Sequence, residues 1–367
     1  MYLSKLILTN FKNYPYQEFD LSPAINCFTG NNGMGKTNIL DAIYYLCMSK
    51  SYFLVSDKNI ARLGEDFFRL EGRFEVEGKK EKIVAKVIPG KKKELEINDN
   101  PYLKFSDHIG FLPVVIITPD DTDIISEGSE TRRRLIDNTL SQLNKKYLDD
   151  LILYNKIIRQ RNAALKQFAE KGGYNRNLLD IYNRQLLEPA RYIHEQRQTF
   201  LQHFIPILRG VHLEISGNSE EVDCEYKSQL NEMAFELLLD RTSEKDRILQ
   251  RTTAGIHRDD LIFTLSGNAL KRFASQGQLK TFTLALKIAQ YQMLKFEKKK
   301  PPLLLLDDIF DKLDSQRVKF LLQLLIRQDF GQIFITDTHP NRVTQIIEKT
   351  GADFRKFNIS KGTATPI

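Results

Sequence analysis

Apolar residues in the first 30 positions fall in short runs. Leu3 to Thr9 is apolar and β-rich, Asn10 to Pro15 punctuates it, and Ile25-Asn26-Cys27-Phe28 runs into a glycine turn. The pattern predicts strand, turn, strand. A helix is predicted next, from Lys36 to about Met48. Three alternating runs follow, Phe68 to Val76, Lys82 to Ile88 and Glu94 to Ile97, separated by Gly78 and by Pro89-Gly90. Alternation between turn residues predicts an antiparallel β insert. Pro113 to Thr118 is a further buried-strand candidate.

The texture then changes to long, charged, glycine-poor segments with helical apolar spacing, from about Glu130 to His203. Gly172-Gly173 breaks this stretch near its middle, which predicts two helical arms folded back on each other. Arms of about 30 to 40 residues would reach roughly 45 to 60 Å. Strands are expected again from about His212, and the last third reads helix, apolar strand, acidic turn, helix, apolar strand. Its apolar strands, Leu303 to Leu306 and Gln332 to Thr336, are continuous runs suited to the buried parallel strands of an α/β sheet.

Candidate chemistry sits at the ends of these strands. Gly30-Asn31-Asn32-Gly33-Met34-Gly35-Lys36-Thr37 satisfies G-x-x-x-x-G-K-[ST] between a predicted strand and a predicted helix. Glycines let the backbone curl so that its N–H groups face phosphates, and the helix adds the positive end of its dipole. Lys36 is expected to bridge the β- and γ-phosphates of ATP and Thr37 to place its hydroxyl on Mg²⁺. The strand Leu303 to Leu306 ends in Asp307-Asp308. Asp307 is expected to hold Mg²⁺ and Asp308 to face the attacking water as general base or polariser.

Ala274-Ser275-Gln276-Gly277-Gln278 precedes a segment in which Leu279, Phe282, Leu286, Ala289 and Met293 share one helical face. Ser275 can donate to a phosphate oxygen, Gly277 permits close backbone approach, and Gln278 lies at the anion-binding start of the helix. An ordinary serine N-cap with a nearby glutamine fits these residues equally well.

In this order the pentapeptide, the helix, the Asp307-Asp308 strand end and Asp311-Lys312-Leu313-Asp314 resemble the ABC-type ATPase head, with its signature segment and dimer-contact D-loop. The resemblance implies an α/β fold, a phosphate-loop sheet with an antiparallel β insert and a largely helical second lobe. The lobes would be 1–117 with 300–367, and 118–299. It makes His339, after Phe334-Ile335-Thr336-Asp337-Thr338, the candidate γ-phosphate switch; an exposed loop histidine is the other reading. Most such heads carry glutamate where Asp308 stands, and the shorter arm implies slow hydrolysis.

Further stretches resemble the RecF family of bacterial recombination and repair proteins over essentially the whole chain. They are Leu6 to Tyr14, Thr118-Pro119-Asp120-Asp121, Gly128 to Asp137, Arg159-Gln160-Arg161-Asn162 and Thr253 to Asp260. Ile256 stands where the family usually has proline, and Asp120 where it has glutamate. The resemblance implies that Lys12 and Asn13 approach the nucleotide, although an exposed turn fits them too. Arg132-Arg133-Arg134 opens a predicted helix, an unfavourable end for cations, so DNA phosphates or Asp137 and nearby acids are the expected partners. His257-Arg258-Asp259-Asp260 is either a polar site or a structural salt-bridge corner.

The resemblance further implies an ATP-dependent homodimer in which each ATP lies between Gly30 to Thr37 of one chain and Ser275 to Gln278 of the other. The helical arms would enclose DNA at a gap or a single-strand/double-strand junction. RecR and RecO would be partners in loading the recombinase RecA during replication, repair and the SOS response.

Composition narrows this picture modestly. The chain has 367 residues, 41% of them hydrophobic, enough for one large or two modest domains. Cys27, Cys47 and Cys224 lie far apart, which suggests no disulfide framework and a reducing, cytoplasmic compartment. With no leader pattern and no long apolar run, neither export nor a membrane partner is expected. The net charge of +7 favours a polyanion but is spread through the chain. A transporter ATPase subunit or an SMC-type chromosome organiser is the alternative. The first lacks its glutamine-rich coupling loop here, and the second would need hundreds of residues of heptads where about 240 without register separate Thr37 from Ser275.

Overall fold

The computed structural model describes residues 1–53, 56–217, 220–309, 330–339 and 353–367. The chain divides into two compact units, one of residues 1–121 with 286–367 and one of residues 122–285.

The first unit opens with β1 (Tyr2–Phe11), β2 (Tyr14–Asp20) and β3 (Ile25–Thr29). Helix α1 (Lys36–Met48) follows, then β4 (Phe68–Val76), β5 (Lys79–Ile88), β6 (Lys92–Ile97), β7 (Asn100–Pro101) and β8 (Val114–Ile117). The insert expected from the alternating runs is part of a larger six-stranded antiparallel sheet, ordered β2-β1-β4-β5-β6-β7. Strand β2 escapes the sequence pattern because only Tyr14 and Phe19 of its seven residues are buried, and Pro15 reads as a breaker. It is an edge strand, where proline is tolerated.

The second unit contains α2 (Asp123–Ser126), α3 (Ser129–Leu143), α4 (Lys145–Lys171) and α5 (Arg176–Ser216). The break expected at Gly172-Gly173 is real: Gly172 ends α4 in the left-handed region, and Asn175 caps α5 by accepting the Leu178 N–H at 3.0 Å. Asn144 caps α4 in the same way on Tyr147 at 3.0 Å. Helix α5 runs to Ser216, so the strands expected from about His212 begin later, at β9 (Val222–Lys227). Helix α6 (Phe235–Leu249), β10 (Asp260–Leu265), β11 (Asn268–Ala269) and α7 (Leu270–Phe273) complete a three-stranded antiparallel sheet, ordered β11-β10-β9, with its flanking helices.

Two fully buried arginines organise this unit. Arg161 donates to Asp246 Oδ2 at 2.8 Å, to Thr252 Oγ1 at 2.9 Å and to Asn183 Oδ1 at 2.9 Å, the last linking α4 to α5. Arg197 pairs with Asp137 at 2.9 Å and Asp259 at 2.8 Å and donates to the Ile256 carbonyl. Tyr147 and Tyr226 donate to the same two carboxylates. Buried ion pairs are tolerated only when the remaining donors and lone pairs are also used, and here several stretches distant in sequence supply the partners.

Helix α8 (Gln276–Lys298) leads the chain back to the first unit, where β12 (Leu303–Leu306), β13 (Ile333–Asp337), β14 (Phe354–Ser360) and β15 (Thr363–Pro366) build the second sheet. Its order is β15-β14-β3-β13-β12-β8, parallel except for β15. Helix α1 is buried along nearly its whole length among residues of both sheets, which explains why every residue from Ile39 to Met48 except Asp41 is apolar or aromatic. The C-terminal strands were not legible beforehand, because Arg355, Lys356 and Asn358 break up the apolar run of β14.

Each unit carries a histidine held in its neutral form, one wholly buried and one half-buried. His108 is wholly buried with Nε2 2.7 Å from the Leu46 carbonyl, and burial pushes its pKa from 6.5 down to about 4. His257, held between the Tyr154 hydroxyl at 2.7 Å and the Thr252 carbonyl at 3.1 Å, is pushed down to about 4 chiefly by burial. The unfolded chain therefore binds more protons than the folded one between pH 6.5 and about 4. Stability should fall as pH drops through that window, by on the order of 3 kcal/mol per histidine. Urea unfolding at pH 7.5, 5.5 and 4.5 checks this, and a His108→Gln variant should show a shallower acid slope for the first unit.

Candidate nucleotide-binding site

The phosphate loop follows β3 and opens α1 within the first unit. Gly30, Gly33 and Gly35 have φ of 154°, 78° and 107°, a backbone region that other residues rarely adopt. A Cβ on Gly30 would stand 2.3 Å from the Ile359 carbonyl oxygen, so close approach as well as φ demands glycine there. Lys36 is 3% exposed and folds over its own loop, donating from Nζ to the carbonyls of Gly30 at 2.8 Å and Asn31 at 3.3 Å. Its ammonium lies 3.7 Å from Asp308 Oδ2. Asn32 and Gly33 are exposed at the loop crest, and Met34 is half-buried.

Asp307 reaches the same place from the end of β12. The Thr37 hydroxyl donates to its two oxygens at 2.9 and 3.0 Å, and the Thr336 hydroxyl, from β13, donates to Oδ1 at 2.8 Å. Thr336 Oγ1 in turn accepts the Asp308 N–H at 2.8 Å. Burial raises the Asp307 pKa from 3.8 to about 6, with the neighbouring Asp308 carboxylate adding to the rise while Thr336, Thr37 and Lys36 oppose it. Asp308 itself takes φ 41°, a left-handed conformation that aspartate tolerates better than most residues. His339 is exposed two residues beyond β13, its N–H donating to Asp337 Oδ1 at 2.8 Å.

Lys12 and Asn13 diverge in their contacts. Asn13 lies against the loop, donating from Nδ2 to the Met34 carbonyl at 2.9 Å and accepting from Asn38 Nδ2 at 2.7 Å. Lys12, at φ 51°, pairs instead with the fully buried Asp41 at 2.6 Å and stands 5.3 Å from the Phe53 ring centre. Asp41 also accepts the Ser51 hydroxyl and the Tyr52 N–H.

Tyr52 then continues the chain of contacts. Its hydroxyl donates to Asp121 Oδ1 at 2.5 Å and accepts from Lys287 Nζ at 3.1 Å. Lys287 pairs with Asp121 at 3.0 Å and donates to the Ile116 carbonyl at 2.9 Å, at the end of β8. The next carbonyl but none, Ile117 O, accepts the Asp307 N–H at 2.9 Å. Asp41, Tyr52, Asp121, Lys287 and Thr336 were not singled out from sequence. Asp121 lay within a quoted family stretch, but no pattern marked its pairing with a lysine on α8.

In the second unit Ser275 and Gln278 form a capping box at the start of α8. The Ser275 N–H donates to Gln278 Oε1 at 2.7 Å, and the Gln278 N–H donates to Ser275 Oγ at 3.3 Å. Gln278 Nε2 further donates to Glu220 at 2.6 Å, and Gly277 is half-buried. Asp311 to Asp314 lie outside the described residues.

The three arginines of α3 have intramolecular partners. Arg132 is bidentate to Asp260 at 2.6 and 3.1 Å, Arg133 donates to Ser129 Oγ and the Asp259 carbonyl, and Arg134 pairs with Glu130 at 3.1 Å. Asp137, expected among their partners, is taken by Arg197 instead. The stretch His257 to Asp260 is accordingly a salt-bridge and hydrogen-bond corner of this unit.

The family described as RecF/RecN/SMC N terminal domain matches residues 2–360. DNA replication and repair protein RecF of Flavobacterium johnsoniae is 47% identical over 359 residues, covering 98% of this chain and 100% of that protein. The protein of the same name from Cytophaga hutchinsonii is 42% identical over 362 residues, covering 99% and 96%. The chain belongs to the RecF family. Among solved structures, the recombination mediator protein RecF-ATP in the RecFOR pathway superposes with a TM-score of 0.90 at 28% identity, covering 100% of this chain and 97% of that one. The ABC-type head fold and the RecF resemblance expected from the motifs both hold, and the transporter and SMC-type alternatives do not.

Lys287 and Asp121 are each 3% exposed, so removing either partner strands a charge in the interior. Lys287→Met should lower the stability of the first unit by about 3–5 kcal/mol, measured by urea unfolding.

Proposed function

We propose that the chain is an ATP-dependent DNA-binding repair factor that dimerises on ATP and binds gapped or single-strand/double-strand junction DNA. The observation that carries the reading is the meeting of Thr37 and Asp307 at the mouth of a loop whose Lys36 is already turned inward. Full-length likeness to relatives named for DNA replication and repair, and to a RecF-ATP structure, supports it.

The donor set suits ATP and Mg²⁺. Thr37 and Asp307 offer hard oxygens at one point, and Asp307, whose proton affinity is raised by burial, gains most from a cation. Mg²⁺, when bound, supplies charge neutralisation on the phosphates. Gly30 to Thr37 would cradle the phosphates with backbone N–H groups, and Lys36 would exchange the carbonyls of Gly30 and Asn31 for phosphate oxygens. Asp308 would orient and polarise water, and its short arm favours slow turnover. His339 would sense the γ-phosphate. Ser275, Gly277 and Gln278 would close the site of a second chain, so that ATP joins two subunits and hydrolysis releases them.

A weak, DNA-stimulated ATPase follows from this arrangement, acting as a timer on the dimer. RecO- and RecR-type mediators and a RecA-type recombinase would be its partners, and a role on the chromosome places it in the cytoplasm. Among the described residues no helix is long and apolar enough to cross a membrane.

Lys36→Met should abolish ATP-driven dimerisation while leaving the fold intact. Gel filtration with and without a non-hydrolysable ATP analogue reads this directly, and a variant that still dimerises with nucleotide would sink the mechanism. With ATP present, wild-type protein should bind gapped DNA more tightly than intact duplex. Affinity should fall steeply with added salt, as expected when phosphates carry the contact.

A further inference from the structure

Two consecutive carbonyls of the phosphate loop are held by groups outside it. The Met34 carbonyl accepts Asn13 Nδ2 at 2.9 Å and the backbone N–H of Gly362 at 3.4 Å. The Gly35 carbonyl, which also accepts the Asn38 N–H at 3.1 Å, takes the hydroxyl of the fully buried Tyr14 at 3.1 Å. In a planar trans peptide the C=O and the following N–H point in opposite directions. Fixing these two carbonyls therefore fixes the N–H groups of Gly35 and Lys36 toward the other side of the loop.

The packing leaves little freedom. A Cβ on Gly35 would stand 2.3 Å from Asn13 Nδ2, and one on Gly362 would stand 2.3 Å from the Asn13 carbonyl oxygen. Gly362 lies in the turn between β14 and β15 at φ 77°, and the Lys361 N–H beside it donates to Met34 Sδ at 3.4 Å. The loop is thus gripped by the turn between β1 and β2 and by a turn more than 300 residues later in the chain. Asn13 has both ends of its amide engaged, Nδ2 on Met34 and Oδ1 on Asn38.

We propose that Asn13, Tyr14 and Gly362 are positioning residues that preset the phosphate loop, turning the carbonyls of Met34 and Gly35 outward so that the N–H groups of Gly35 and Lys36 face the polyphosphate. The inference rests on the ATP reading above. Asn13 acts through the loop rather than as a direct ligand of the nucleotide. Donors oriented in advance need no reorganisation when an anion arrives, which is how such an arrangement raises affinity.

The test is calorimetric ATP binding by the wild-type chain and by Asn13→Ala, Tyr14→Phe and Gly362→Val, with nucleotide-free thermal melts alongside. Each variant should weaken ATP by about fivefold to tenfold, as expected when one or two oriented hydrogen bonds to the loop are lost or displaced. The Tyr14→Phe melt should stay close to wild type. If Gly362→Val fails to fold, Tyr14→Phe, which removes a single hydroxyl, decides the matter. A loss confined to Asn13→Ala makes that side chain a direct ligand and overturns the proposal. Unchanged affinity in all folded variants overturns it as well. Wild-type protein that binds no ATP overturns the function reading and this inference with it.

Discussion

The hydrogen bonds between Thr37 and Asp307 are the join on which the first unit depends. Thr37 belongs to the first turn of α1 and Asp307 to the end of β12, 270 residues later. Parallel pairing of β12, β13 and β3 carries the two there, and Thr336 on the intervening strand accepts from Asp308 while donating to Asp307. A buried carboxylate costs free energy unless donors surround it. The ends of β12 and β13 and the first turn of α1 meet at this one acid, and burial raises its proton affinity despite the donors from Thr37 and Thr336.

The same rule orders the less visible charges. Asp41, Asp121 and Lys287 lie in the interior of the first unit, and Tyr52 connects them through its N–H and hydroxyl. The chain of contacts begins at Lys12 beside the phosphate loop and ends at the β8 carbonyls that neighbour Asp307. Arg161 and Arg197 play a comparable part in the second unit, where the family stretches from Gly128 to Asp137 and from Thr253 to Asp260 turn out to supply each other's partners. Their charges are spent on internal architecture.

Much of this was legible beforehand where local rules dominate. The phosphate loop, α1 and the strand Leu303 to Leu306 follow from glycine spacing and uninterrupted apolar runs, and the helix break at Gly172-Gly173 follows from glycine chemistry. Strand β2 and the C-terminal strands were missed because an edge strand buries few side chains and leaves no clean alternation. The end of α5 was placed too early because its caps lie at Gly217, beyond a stretch that already read as β-rich.

The sequence by itself marked the candidate phosphate and metal residues, because glycine φ, a lysine after the turn and acids after an apolar strand are local requirements. It also determined the family, through motifs distributed along the whole chain. Tertiary structure alone decided the partners. Asn13 faces the loop and Lys12 faces Asp41, although they are adjacent in sequence, because a left-handed residue turns their side chains to different neighbours. Gly362 reaches the loop because β14 pairs with β3. Contacts between residues hundreds of positions apart depend on strand order and register, and no local pattern encodes those.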